Sequence, residues 1–109
     1  MLEDIEINII SLKTKVFISG SDTYKICWKL EVENLSSCIV SFRAIIEYYD
    51  KEKFFLHRER LLEGFMLIPQ ERNIYVGHFA ISKDIYNAVH NKHNIICHTE
   101  VFRNMCEEN

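Results

Sequence analysis

His90-Asn91-Lys92-His93, followed by Cys97-His98, is where this 109-residue sequence gathers side chains able to ligate a transition metal. A divalent ion of that kind needs three or four nitrogen or sulfur donors converging within roughly 2.3 Å. The residue types are right, but Ile95 to Phe102 reads as a strand, where neighbours point to opposite faces, so Cys97 and His98 cannot serve one ion. No metal ligand is assigned. His90 and His93 define a loop end, and a small-ligand or metal-binding domain using that end is the alternative functional reading.

Nucleophilic catalysis needs a base within hydrogen-bond reach of a serine or cysteine and donors for the oxyanion. Nothing local supplies this: there is no G-x-S-x-G, no glycine-rich phosphate loop and no H-E-x-x-H, and only three glycines are present. His57, Glu59 and Glu63 could be drawn into an acid-base scheme. Within His57-Arg58-Glu59-Arg60 they read more simply as a solvated strand face with cross-strand ion pairs. The sequence therefore implies a protein without catalytic residues and without a cofactor.

The elements that must position these groups are strands. From Tyr24 to Asp50 two alternating runs flank the turn Asn34-Leu35-Ser36-Ser37. Ile26, Trp28, Leu30 and Val32 fall on one side, with Lys25, Lys29, Glu31 and Glu33 on the other, the period of a half-buried strand. Val40, Phe42, Ala44, Ile46 and Tyr48 repeat the pattern. Before them, Ile5, Ile7 and Ile9 alternate and Val16-Phe17-Ile18 follows, one long or broken edge strand ending at Gly20. Asp50-Lys51-Glu52-Lys53 is a charged turn, and Phe54 to Leu62 is extended with no clear facing. Pro69 fixes a bend in Leu67-Ile68-Pro69-Gln70-Glu71. Ile74 to Ile81 is the next strand, in which Gly77 marks a bulge or a close backbone approach. Ser82 caps a helix of about two turns, with Ile85, Ala88 and Val89 on one face.

About seven strands with turns every 8 to 12 residues fit an all-β, immunoglobulin-like β-sandwich, with one short helix before the last strand and residues 1–109 forming a single domain. A small barrel is the competing architecture. Trp28 is expected at the centre of the core.

Val32-Glu33-Asn34, Ile46-Glu47-Tyr48-Tyr49-Asp50 and Leu67-Ile68-Pro69-Gln70-Glu71 resemble the bacterial immunoglobulin-like domains of the FxLYD type. That pattern runs from V-x-N through aromatic-x-x-Y-D to an L-x-P-G-E bend. The likeness covers roughly residues 24 to 81. Here Ile46 stands for the aromatic, Tyr48 for the leucine, Lys53 for the glycine after the aspartate and Gln70 for the glycine after the proline. The resemblance implies a structural or binding module with no common catalytic residues.

A formal charge of −3 and a pI near 5.9 give no general attraction to nucleic acid or anionic membrane. No apolar stretch reaches the roughly 18 residues of a membrane span, and the acidic N-terminal residues are unlike a signal peptide. The expectation is a cytoplasmic protein, or an extracytoplasmic one if a leader was removed. Cys27, Cys38, Cys97 and Cys106 form no C-x-x-C pair and are read as free, mostly buried thiols, with a Cys27–Cys97 bridge as the alternative. A non-enzymatic module acting through a sheet face or an edge strand, on a protein partner or on a second copy, is the leading function. Ile39, Arg43, Ile45 and Tyr49, on the outward side of one strand, are the candidate interaction face. Ile5, Ile7 and Ile9 make the first strand a candidate edge.

Overall fold

Alternation in the sequence becomes six long antiparallel strands in the computed structural model, which describes residues 5–89 and 92–106. They are β1 (Ile7–Ile18), β2 (Thr23–Asn34), β3 (Cys38–Tyr49), β4 (Phe55–Leu67), β5 (Arg72–Ser82) and β6 (Ile95–Cys106), with helix α1 (Lys83–Ala88) and a 3-10 turn (Lys92–Asn94) before β6. Two three-stranded sheets result, ordered β1-β2-β5 and β4-β3-β6. Six strands stand where the turn spacing suggests about seven, because the first segment runs unbroken through a register shift between Ile9 and Ser11. The short helix lies where it is expected, with Ser82 Oγ accepting from the Asp84 and Ile85 amides at 3.2 and 3.5 Å.

The core lies between the two sheets. Trp28, Leu30 and Val32 of β2 meet Val40, Phe42 and Ala44 of β3 in one cluster, while Ile26, Ile46, Tyr48 and Ile81 form a second near α1. Burying such side chains contributes roughly 1.5–3 kcal/mol each, which is why the central strands of both sheets carry the strictest alternation. Trp28 is 7 % exposed, in the core as expected.

The turns are built by side chains. Buried Asn34 donates Nδ2 to the carbonyls of Cys38 (2.7 Å), Leu67 (3.2 Å) and Ile68 (3.1 Å), and its Oδ1 accepts from Ser36 N and Oγ. Its backbone exchanges bonds with Glu71 and Gln70, so the turn after β2 and the Pro69 bend are one hydrogen-bonded unit. Asp50 Oδ1 accepts from the Glu52 and Phe54 amides, both at 2.9 Å. Lys53 and Gln70 adopt positive φ, 69° and 66°.

The cysteine expectation is corrected. Cys38 and Cys106 are disulfide-bonded, because the β3–β6 register sets them directly opposite with Cα atoms 4.1 Å apart. Cys27 and Cys97 are free thiols and form no bridge. Cys27 stands opposite Lys15 and His78 on the outer side of its sheet, whereas Cys97 stands opposite core residue Ile46.

Candidate functional site

Each sheet ends in two edge strands, and the sheets meet along two seams, β1/β6 and β4/β5. At the β1/β6 seam, β1 pairs only with β2 and β6 only with β3 among the described residues. The β1–β2 register puts Ile7, Ile9, Leu12, Thr14, Val16 and Ile18 on the core side, opposite Asn34, Val32, Leu30, Trp28, Ile26 and Tyr24. Burial along that row fades from one end to the other: Ile7 is 6 % exposed, Val16 39 % and Ile18 79 %. Across the seam the core-side residues of β6, Ile95, Cys97, Thr99 and Val101, are all half-buried, whereas their β3 partners are buried. Core-facing apolar side chains therefore lie uncovered along this seam.

Two cavities occupy it. One, of about 430 Å³, lies between Ile5–Ile9 and the Cys97–Val101 stretch, and the other, of about 710 Å³, between Leu12–Val16 and Tyr86, Ile95 and Cys97. Cys97 lines both, so the two adjoin there along the groove between β1 and β6. Thr99 Oγ1 donates to the Ile7 carbonyl at 3.2 Å and clips the sheets together at the tighter end. Burial pushes the Cys97 thiol up to about 11.

The outer face beside the groove is basic. Lys13 stands directly opposite Lys29, Lys15 opposite Cys27 and Phe17 opposite Lys25, and all four lysines are exposed. None is ion-paired among the described residues, whereas Glu31 and Glu33, further along β2, are held by Arg72 at 3.9 and 3.5 Å. A protein of net charge −3 thus carries a local cluster of positive charge along the open half of β1.

The residues singled out from sequence are arranged differently. Ile39, Arg43, Ile45 and Tyr49 do share the outer face of β3, but the middle of that face is covered by its own neighbours. Ile45 is 4 % exposed, between Arg60 and His98 on the flanking strands. Arg43 is held by Glu63 (3.3 Å) and Glu100 (3.8 Å), with its guanidinium 5.1 Å from the Phe102 ring centre, and its Nε is buried without a hydrogen-bond partner among the described residues. Ile39 sits at one end by Met66 and Met105, while Tyr49 packs edge-on against Phe55 at 6.0 Å at the other.

His90 lies outside the described residues. His93 lines a cavity of about 200 Å³ with Tyr49, Lys53, Asn94 and Ile96. Cys97 and His98 face opposite ways, and His98 instead meets Glu47 (Nδ1, 3.3 Å) and Glu100 (Nε2, 3.6 Å) on the outer face. No three His, Cys, Asp or Glu side chains converge on a metal position among the described residues. His57 Nε2 contacts Glu59 at 3.0 Å, while Glu63 bonds Arg43 and Arg60 on the other side of β4. Sequence reasoning missed the groove and its lysines. The Leu12-x-Thr14-x-Val16-x-Ile18 alternation with Lys13, Lys15 and Phe17 between is the signal that carried both.

No protein-family profile and no curated protein matches this chain. Among solved structures, it is similar to the X-ray structure of Northeast Structural Genomics Consortium target SoR45, with 12 % sequence identity, a TM-score of 0.48, and coverage of 92 % of this chain and 84 % of that one.

Proposed function

We propose that this chain is a non-enzymatic interaction module with an immunoglobulin-like sandwich architecture, and that it takes its partner at the β1/β6 seam. The observation that carries the reading is the exposure of Val16 and Ile18 at core-side positions of an edge strand. An edge presents unpaired backbone groups, and apolar side chains left in water beside it favour the addition of another strand. The strand order supports the architecture: β1, β2 and β5 correspond to A, B and E of an immunoglobulin-like domain, and β3 and β6 to C and F, with β4 beside C. The FxLYD-type reading draws support from two positions. Lys53 and Gln70, which stand where that pattern has glycine, both adopt positive φ. The Cys38–Cys106 bridge favours an oxidising setting, where such bonds persist, over the cytoplasmic one expected from the sequence. No helix among the described residues is long and apolar enough to cross a membrane.

Selection from a library of random displayed peptides tests the reading. Peptides selected on the parent chain should lose binding to a Val16→Asp variant and keep it on an Ile45→Glu, Tyr49→Glu variant. The reverse pattern would move the site to the outer face of β3, and a selection that yields no binder would overturn the interaction reading.

A further inference from the structure

We infer that the occupant of the β1/β6 groove is an extended peptide segment in which apolar residues alternate with aspartate or glutamate, paired through its backbone with the free edge of β1 over Leu12–Val16. This rests on the seam reading above and names the chemistry of its ligand.

Three observations converge. First, five consecutive residues of β1, Leu12 to Val16, line the larger cavity, so the strand meets it edge-on with its backbone groups. The β6 strand contributes only the alternate residues Ile95 and Cys97, so it meets the cavity with its side-chain face. An occupant there hydrogen-bonds to β1 and packs on β6, which requires an extended backbone.

Second, every other side chain of such a strand drops into a space bordered by Thr14, Val16, Ile95 and Cys97, and must be apolar to cover them. Third, the intervening side chains emerge beside Lys13 and Lys15, backed by Lys25 and Lys29, where no carboxylate of the described residues pairs with a lysine. Opposite charges across neighbouring strands attract and like charges directly opposite repel. Screening over about 8 Å keeps this local field distinct from the net negative charge of the whole protein. Glu6 borders the other cavity, so the preference for acid belongs to the Leu12–Val16 end.

The same charges disfavour a second copy. Two β1 edges paired antiparallel about Thr14 would set Lys13 opposite Lys15, and about Lys15 would set that residue against itself.

Three fluorescein-labelled peptides of about ten residues, alternating valine with glutamate, serine or lysine, test the inference by anisotropy. A Cys27→Ser background leaves Cys97 as the free thiol, and its alkylation rate reports occupancy of the groove. The glutamate peptide should bind more tightly than the serine peptide by about tenfold, as two cross-strand charge pairs would give. It should slow alkylation of Cys97, and a Lys13→Glu, Lys15→Glu variant should reverse the order of the glutamate and lysine peptides. Both lysines are exposed, so that variant keeps its fold, and its melting curve confirms this. Equal binding of serine and glutamate peptides, both protecting Cys97, would overturn the acidic preference and leave the seam reading standing. If no peptide binds at up to about 1 mM, a free energy of roughly 4 kcal/mol, both fail. A dimer that forms on concentration and protects Cys97 would replace the peptide with a second copy and overturn the inference.

Discussion

Trp28 and Gly77 face each other across β2 and β5, and the indole occupies the space that a β-carbon at residue 77 would need: a methyl there would stand 2.5 Å from Cζ2 and 2.8 Å from Cε2. Gly77→Ala therefore forces the ring or the strand to shift and should cost about 1–3 kcal/mol, the range for overpacking. Trp28→Ala, which empties the same site, should cost about 3–5 kcal/mol. Denaturant titration followed by circular dichroism measures both. In the parent, indole emission should be blue-shifted and move red on unfolding.

That close approach was legible in the sequence, since a glycine inside an alternating strand signals either a bulge or a neighbour pressed against the backbone, and the unbroken β2–β5 register shows the second. The central strands were legible for a related reason: β2 and β3 are paired on both sides, and their facing is written as a strict period of two. Facing in β4 was not, because its ladder to β3 shifts three times and Gly64, at φ 75°, lies at one of the shifts. The Cys38–Cys106 pairing was hidden because it depends on the register between β3 and β6, a long-range quantity no local spacing carries. Burial of Ile45 was missed because it follows from Arg60 and His98 on two different neighbours.

Lys53 and Gln70 separate backbone strain from side-chain bonding. Both hold positive φ, which costs a residue with a β-carbon about 1 kcal/mol. Lys53→Gly should therefore stabilise by about 1 kcal/mol. Gln70→Gly also loses the bonds from Nε2 to the Leu35 and Ser36 carbonyls, at 3.0 and 3.2 Å, and should be nearly neutral. Thermal melts of the two variants side by side distinguish them.

Asn34 joins two turns that are 33 or more residues apart in sequence. Asn34→Ala strips buried carbonyls and the Ser36 hydroxyl of their partner and should destabilise by about 2–4 kcal/mol. Asn34→Asp replaces the donor by an acceptor facing three carbonyls and should be worse than alanine at neutral pH. Urea midpoints of the three proteins give the order.

The cysteines predict a mass result and a pH result. Alkylation of the folded, non-reduced protein should label Cys27 and Cys97 only, and breaking the Cys38–Cys106 bridge should cost about 2–5 kcal/mol. Because burial raises the Cys97 thiol from the ordinary 9.0 to about 11, its labelling rate should keep climbing with pH beyond 9. The sign for stability follows: the neutral thiol is favoured in the folded state, so this contribution is complete below pH 9 and is lost as pH rises towards 11.

Residue-resolved hydrogen exchange, with and without the valine–glutamate peptide, tests the open seam most directly. The free protein should exchange fastest along the outer edge of β1 over Leu12–Ile18 and slowly in β2 and β3, and the peptide should add protection on β1 and on the Ile95–Val101 part of β6. Peptide-induced protection confined to the outer face of β3, or a free β1 edge as slow to exchange as β2 and β3, would contradict the account.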